Sequence, residues 1–303
     1  MFSKAALAGV LMTITTAEAR IVLSSPDGNV QATVSTDADA RLLYAVTFQG
    51  REVLAPSPIG VAIDGADCGL SVELGTAEET ACDVAFAWRG NHTEAKLRGR
   101  AASIPVKPKD AAPWTLELRC FNEGVAYRCV ISGEGERRVT GEAAAWNLVE
   151  GTHAWCNPNT KDCEGTHERH LVNVIPSETF KESIALPMTL ELPGGGFAAI
   201  TEANVMHYSG MTLEPTGQWQ VKASFRDDPE GWPMKGVIET PWRVLLLAAD
   251  LNTLVNNDLV AALCPAPDPK LFPDGIRTDW LKPGRCLWQW WAYNDPGTHW
   301  SKQ

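Results

Sequence analysis

A β-hairpin is predicted by the sequence Trp114-Thr-Leu-Glu-Leu-Arg-Cys-Phe-Asn-Glu-Gly-Val-Ala-Tyr-Arg-Cys-Val-Ile131. Its first half alternates apolar and polar side chains, which is the pattern of a half-buried strand. Asn122-Glu-Gly124 supplies turn-forming residues at the centre, and a second apolar run follows. Two such runs joined by a short turn are typical of antiparallel strands.

The same pattern of short apolar runs and turns extends in both directions from this hairpin. Towards the amino terminus, Ile21-Val-Leu-Ser-Ser25 and Val30-Gln-Ala-Thr-Val-Ser35 flank the turn Pro26-Asp-Gly-Asn29. Closely spaced strands with almost no helical periodicity are typical of an antiparallel sandwich. We therefore expect residues 20–263 to form a mainly β domain, a large antiparallel β-sandwich. Further strands are predicted to begin at Leu42, Val53, Gly60, Leu70, Ile184, Gly196, Trp219 and Arg243.

One segment of the domain is a helical candidate. It runs from Leu251 to Leu263, and Leu251, Leu254 and Leu259 partly fit one helical face. The second half of this segment could equally be a strand, so both structures remain open for it.

The composition limits the classes of partner. The chain has 303 residues, is 45% hydrophobic and carries a formal net charge of −11 at pH 7 without a basic cluster. A strongly acidic chain of this kind is a poor partner for nucleic acid or for an anionic membrane surface. We therefore expect neither a nucleic-acid nor a membrane function.

The first 19 residues have the pattern of a secretory signal peptide. Lys4 supplies a positive charge, an apolar stretch follows, and Ala17-Glu-Ala19 matches a cleavage site. The alternative is an apolar strand at the amino terminus. The signal-peptide interpretation predicts a periplasmic or secreted protein.

The eight cysteines are compatible with an oxidising compartment. Cys156 and Cys163 flank a short polar loop and are the first candidate disulfide, which would stabilise the fold by about 2–3 kcal/mol. Cys68 with Cys82 is a second candidate. The pairing of Cys120 and Cys129 across the hairpin depends on a register that the sequence leaves ambiguous.

The first candidate pair also lies close to two histidines, in the order Cys156, Cys163, His167 and His170. Zinc sites use these residue types, but the cysteines there are usually about two to four residues apart. The wider spacing, in a chain expected to be exported, favours the disulfide.

A proline-rich stretch follows the sandwich and leads to a cluster of tryptophans. Residues 264–285 include four prolines within the sequence Cys264 to Pro273, which indicates an extended, semi-rigid linker. The apolar run from Cys286 to Tyr293 then predicts the first strand of a new domain, residues 286–303.

Trp288, Trp290 and Trp291 lie in this last run. Indole rings stack against the apolar faces of sugars, and the ring N–H can bind a hydroxyl group. The alternative is that these tryptophans are simply core residues. Their position at the entrance of a new domain favours carbohydrate binding.

Hydrolysis of a glycoside requires two carboxyl groups that flank the scissile bond. The sequence spacing places no two acidic residues at one site. Taken singly, each candidate is explained by a solvated surface or a turn. The acids considered are Glu150, Glu164, Glu168, Glu202 and Asp295.

Several segments, in their order and spacing, resemble glycoside hydrolase family 97, the α-glucosidase and α-galactosidase type. The resemblance covers essentially the whole chain after the predicted signal peptide. Its segments are Leu23-Ser-Ser-Pro-Asp-Gly-Asn29, Ser57-Pro-Ile-Gly-Val61, Asn122-Glu-Gly-Val-Ala-Tyr-Arg128, Thr201-Glu-Ala-Asn204, Tyr208-Ser-Gly-Met211, Thr240-Pro-Trp-Arg-Val244, Asn252-Thr-Leu-Val-Asn-Asn-Asp258, and Lys282-Pro-Gly-Arg285 with the Trp-x-Trp-Trp that follows.

The resemblance implies an amino-terminal β-super-sandwich, a (β/α)8 barrel and a small carboxy-terminal β domain. A barrel takes about 250 residues, so residues 286–303 could hold only its first strand. The family carries its catalytic carboxylates on the barrel. The resemblance therefore implies no catalytic residue in this chain, and an α-glucoside or α-galactoside as the partner of the intact enzyme.

The resemblance also implies one metal ligand. Family members bind a calcium ion beside the scissile bond, and by its segment Glu202 is the ligand expected from this domain. Calcium takes about six to eight oxygen ligands, so one glutamate would leave an open, weak site. The alternative is that Glu202 is a surface acid at a strand end.

Two segments depart from the family pattern, the loop from Asn157 to Asp162 and the stretch Tyr293-Asn-Asp-Pro-Gly297. The sequence therefore favours the amino-terminal region of an exported α-glycoside hydrolase, inactive alone, with an undetermined substrate preference. A stand-alone carbohydrate-binding β-sandwich is the second hypothesis. A purely structural exported β protein is the third.

Overall fold

The computed structural model describes residues 20–88, 91–159, 172–174, 176, 183–275, 277, 280, 282, 284 and 285. The chain divides into two compact units, Met1–Cys264 and Pro265–Gln303. The predicted signal peptide and the strand predicted in residues 286–303 lie outside the described residues.

The described residues form 24 strands and two short helices. The strands are β1 Ile21–Ser24, β2 Val30–Thr36, β3 Leu42–Phe48, β4 Arg51–Pro58, β5 Val61–Ile63, β6 Ala66–Asp67, β7 Val72–Leu74, β8 Glu78–Ala81, β9 Val84–Ala87, β10 Glu94–Leu97, β11 Gly99–Pro108, β12 Trp114–Phe121, β13 Gly124–Ile131, β14 Glu136–Glu142, β15 Ala145–Leu148, β16 His153–Asn159, β17 Val172–Val174, β18 Ser183–Glu191, β19 Phe197–Ala203, β20 Thr212–Gly217, β21 Gln220–Ser224, β22 Trp232–Lys235, β23 Ile238–Glu239 and β24 Trp242–Ala248. The helices are α1 Leu251–Val255 and α2 Leu259–Ala262.

Two series of antiparallel strands make the layers of a sandwich. The first series runs β11, β12, β13, β24, β19 and β18. The second runs β1, β2, β3, β4, β15, β21 and β20, and β20 also pairs with β18. The two layers therefore share β18 as a common strand, and the predicted antiparallel β-sandwich is confirmed.

The main core lies between these layers. Alternate residues of β2 and β3 are buried, as the period of two in their sequences predicts. Tyr44 of β3 meets Tyr127 of β13 edge to face, with ring centroids 4.9 Å apart. Contacts of this kind hold the two inner faces together.

A second apolar cluster covers the outer face of β12, β13, β19 and β24. Phe121, Trp242 and Val244 belong to it, together with residues of the small β9–β10 sheet and of both helices. Strand β24 is consequently buried along its whole length, in agreement with a sequence that is apolar except for Arg243. The guanidinium carbons of Arg119 and Arg128 lie 4.4 and 4.8 Å from the Trp242 ring.

The helical candidate segment forms α1 and α2, so its second half is helical as well. Asp250 caps α1 by accepting a 2.8 Å hydrogen bond from the N–H of Thr253. Leu254 and Leu259 face the outer cluster. No helix in the described part of the chain is long and apolar enough to span a membrane.

Among the described residues of the second unit, residues 269–271 and 273–274 form turns. Leu271 and Phe272 both donate backbone hydrogen bonds to the carbonyl of Asp268. Arg277 pairs with Asp274 at 3.1 Å in an exposed ion pair.

Candidate functional site: a buried Glu142–Arg243–Glu202 triad

The most polar feature of the inner face is the side chain of Arg243 on β24. Strand pairing places Arg243 directly opposite Tyr127 of β13 and Glu202 of β19. Neighbouring residues on β24 alternate between the two faces, so Arg243 points into the sandwich while Trp242 points outward. The Arg243 side chain is completely buried.

Glu142, at the end of β14, takes most of the hydrogen bonds of Arg243. The Nε atom of Arg243 donates to Oε2 of Glu142 at 2.9 Å, and Nη2 donates to Oε1 at 2.6 Å. The hydroxyl of Tyr208 also donates to Oε1 of Glu142, at 2.8 Å. Glu142 is 3% exposed, so this bidentate ion pair is shielded from water.

Glu202 occupies the other side of the guanidinium group. Nη1 of Arg243 donates to Oε2 of Glu202 at 2.5 Å. The backbone N–H of Met211 donates to Oε1 at 3.1 Å. The Glu202 side chain is 14% exposed, which makes it the most accessible member of the triad Glu142–Arg243–Glu202.

Aromatic rings surround the triad and lower its polarity. The guanidinium carbon of Arg243 lies 5.9 Å from the Tyr208 ring and 5.6 Å from the Phe225 ring. Trp232 packs edge to face against Tyr208, with centroids 4.7 Å apart. A low local dielectric strengthens each ion pair and penalises any charge left without a partner.

The pKa values follow from this environment. Burial raises the pKa of Glu202, although Arg243 and the Met211 N–H oppose that effect. Burial alone would lower the pKa of Arg243, but the charge and hydrogen bonds of Glu142 outweigh it, and the pKa is raised. Arg243 is therefore a permanent cation in this site.

The triad can be tested for its fit to a calcium ion. Among the described residues there is no group of three or more His, Cys, Asp or Glu side chains that could hold a metal. Glu202 keeps unused lone pairs and partial exposure, but an arginine lies beside it. These residues therefore fit one ligand of a calcium ion and not a complete set, and the calcium role of Glu202 stays a prediction.

The other predicted site residues are placed as follows. Trp288, Trp290, Trp291, Cys163, His167, His170, Glu164, Glu168 and Asp295 lie outside the described residues. Cys156 is buried in β16. Because Cys163 lies outside the described residues, the Cys156–Cys163 disulfide stays a prediction. Glu150 is an exposed residue in a turn.

The second candidate disulfide is wrong, because Cys68 and Cys82 both carry free thiols. Cys68 belongs to the core between the layers, whereas Cys82 packs against the outer cluster. The hairpin register also separates Cys120 from Cys129, since Cys120 pairs with Val125 and Cys129 pairs with Leu116.

The family resemblance singled out Glu202, but Glu142 and Arg243 were not predicted as its partners. Glu142 and Glu202 lie 101 and 41 residues from Arg243 in the chain, so no local spacing connects them. One signal was available, an arginine within the otherwise apolar run Trp242–Ala248. A charged side chain in a strand whose two faces are both buried requires a buried partner of opposite charge.

Comparison with known families gives a match that covers most of the chain. A family profile described as Glycosyl-hydrolase 97 N-terminal matches residues 23–265. This range begins inside β1 and ends just after α2, so it contains the triad and all of the described sandwich except the first two residues of β1.

Two curated relatives are similar over most of this chain. A probable retaining alpha-galactosidase of Streptomyces bingchenggensis is 28% identical over 285 residues, which is 90% of this chain and 41% of the relative. A retaining alpha-galactosidase of Bacteroides thetaiotaomicron is 24% identical over 306 residues, which is 91% of this chain and 45% of the relative. The chain thus spans less than half the length of these relatives.

Solved structures share the fold. A glycoside hydrolase family 97 enzyme from Pseudoalteromonas sp. strain K8, solved with panose and with acarbose, has a TM-score of 0.71 at 18% identity, and the match covers 81% of this chain and 38% of that one. A beta-arabinopyranosidase has a TM-score of 0.69 at 16% identity, with 76% of this chain and 40% of that one covered.

Proposed function

Since the chain belongs to the Glycosyl-hydrolase 97 N-terminal family, we propose that it acts as the amino-terminal β-sandwich of an exported α-glycoside hydrolase. The observation that carries this proposal is the combination of a family match over residues 23–265 with a coverage of 41% of the first relative. The sandwich supplies one part of the machinery, and the rest of the relatives' length supplies the remainder.

The proposed substrate class is an α-glucoside or α-galactoside. Two relatives are named as alpha-galactosidases, which supports the galactoside. A structural neighbour binds panose and acarbose, which supports the glucoside. Within this chain, Trp288, Trp290 and Trp291 are proposed to stack against the sugar, and Glu202 to contribute one ligand to a calcium ion.

The chain on its own is proposed to be inactive. Glycoside hydrolysis needs one carboxyl group that donates a proton and another that acts as base or nucleophile. Glu142 and Glu202 are two acids at one largely buried site, and Arg243 lies between them. Glu142 already accepts three hydrogen bonds and has 3% exposure, so it is unsuited to meet a substrate.

The test is hydrolysis of aryl α-galactosides and α-glucosides by two proteins, the 303-residue chain and the product of the longest open reading frame that contains it. We expect turnover only from a longer product with a barrel. Turnover by the 303-residue chain alone would contradict the proposal. A reading frame that ends at Gln303 would favour the stand-alone binding module.

Calorimetric titration of the 303-residue chain with panose separates the two carbohydrate hypotheses. A stand-alone module predicts saturable binding that falls in Trp288→Ala and Trp290→Ala. Trp155→Ala is the matched control, because Trp155 is an exposed tryptophan on β16. The amino-terminal-region hypothesis predicts little binding by any of these proteins, because half of the cleft is missing.

A further inference from the structure

The triad contains more negative than positive charge. Two carboxylates, Glu142 and Glu202, share one guanidinium group, that of Arg243. With all three groups ionised, the triad retains one net negative charge inside a nearly dry, aromatic surround. Such a charge is costly unless a proton or a cation compensates it.

The geometry shows on which carboxylate this charge is left. Glu142 accepts hydrogen bonds from two guanidinium nitrogens of Arg243 and from the Tyr208 hydroxyl. The bidentate pair with Arg243 neutralises the charge of Glu142. Glu202 accepts one hydrogen bond from a guanidinium nitrogen of Arg243 and one from the backbone N–H of Met211. Glu202 is also the more exposed, at 14% against 3% for Glu142.

We propose that Glu142 and Arg243 are positioning residues, which hold the Glu202 carboxylate at the open end of the triad with one negative charge left for a divalent cation. The inference rests on the proposed function, because the cation is the one expected there. Arg243 fixes the direction of the Glu202 side chain. Glu142 neutralises the positive charge of Arg243. Without Glu142, that positive charge would repel a cation beside Glu202.

Terbium luminescence tests this role without an activity measurement. Tb3+ is an oxygen-seeking substitute for Ca2+, and it emits when nearby indole or phenol rings transfer energy to it. Tyr208 and Trp232 pack together beside the triad and can serve as the antenna. We expect the 303-residue chain to give a weak, saturable Tb3+ signal that Ca2+ displaces and that Glu202→Gln abolishes.

The decisive variant is Glu142→Gln, which changes a residue that touches no cation. It removes one negative charge, so Arg243 then neutralises Glu202, and the apparent Tb3+ affinity should fall roughly tenfold or more. Glu142→Asp keeps the charge and should stay within about threefold of the native affinity. Tyr208→Phe removes one hydrogen bond to Glu142 but no charge, so it is the matched control. It should keep the apparent Tb3+ affinity within about threefold of the native value, with Trp232 as the antenna.

Thermal unfolding of each variant separates positioning from plain structural support. A purely structural role predicts that Glu142→Gln lowers Tm while the folded protein keeps the native Tb3+ affinity, as Tyr208→Phe does, and that result overturns the proposal. A chain with no Glu202-dependent Tb3+ signal overturns it as well. Either failure leaves the glycosidase proposal standing, because that proposal is tested by the turnover assay.

Discussion

The Nε2 atom of His92 lies 2.7 Å from an Oδ2 oxygen of Asp258, although 166 residues separate them in the chain. His92 lies between β9 and β10, and Asp258 immediately precedes α2. The imidazole also stacks on Trp88, with centroids 6.5 Å apart. This contact joins two elements that cover the outer face of the sandwich.

Asp258→Asn is expected to destabilise the domain by about 0.5–1 kcal/mol, since this hydrogen bond is only partly shielded from water. Urea unfolding at neutral pH measures the change. Asp39→Asn is the control, because Asp39 is exposed in a turn far from His92 and Asp258 in the sequence. Equal stability of the two variants would show that the His92–Asp258 contact contributes nothing.

Leu254 and Val255 are neighbours in α1 with opposite environments, since Leu254 is 8% exposed and Val255 is 81% exposed. Leu254→Ala opens a cavity in the outer cluster and should cost about 2–4 kcal/mol. Val255→Ala should change the free energy of unfolding by less than about 0.5 kcal/mol. Similar losses in both variants would argue against the packing of α1 on the sheet.

Glu123, in the turn between β12 and β13, has a pKa raised to about 7 by burial. The folded state therefore holds a proton that the unfolded state releases at lower pH. Stability should fall as the pH rises from about 4.5 to about 7, the ordinary and the raised pKa values of this group, and level off above that. Glu123→Gln should lack this decline.

The measurement is the urea midpoint of the native protein and of Glu123→Gln, each at pH 5 and at pH 8. The native protein should lose more stability between these values than Glu123→Gln does. Glu52→Gln, at an exposed position of β4, should behave like the native protein. A Glu123→Gln variant with the native pH dependence would contradict the raised pKa.

Gly124 and Gly135 both have positive φ angles but differ in their surroundings. A Cβ atom on Gly124 would lie 2.4 Å from the carbonyl oxygen of Leu245, whereas nothing lies within 4 Å of one on Gly135. Gly124→Ala should cost more than about 2 kcal/mol, and Gly135→Ala about 1 kcal/mol from backbone strain alone. Thermal unfolding of both variants would show the order, and the reverse order would exclude the close approach of β13 and β24.

The sequence predicted the features that depend on near neighbours. The hairpin around Asn122-Glu-Gly124 was visible because alternation and turn chemistry are local. The helical segment could not be resolved, since α1 and α2 are too short for a clear period. Its Asp250 cap was the signal that would have favoured a helix from the start.

The triad could not be predicted from spacing, because it joins side chains from three strands that are far apart in the chain. Glu142 lies on β14, Glu202 on β19 and Arg243 on β24. The Cys68–Cys82 prediction failed for the same reason, since the fold puts these residues on opposite faces of a layer. Resemblance to a family singled out Glu202, but only the fold shows which groups hold it.

The late position of β24 in the chain has a consequence for biosynthesis. Strand β13 pairs on one side with β12, and most of its other edge pairs with β24, which is synthesised later. On the ribosome, the interval between these strands lasts on the order of ten seconds. During that time the nascent chain carries an unpaired, apolar strand edge, which is the kind of surface that pairs with other chains and leads to aggregation.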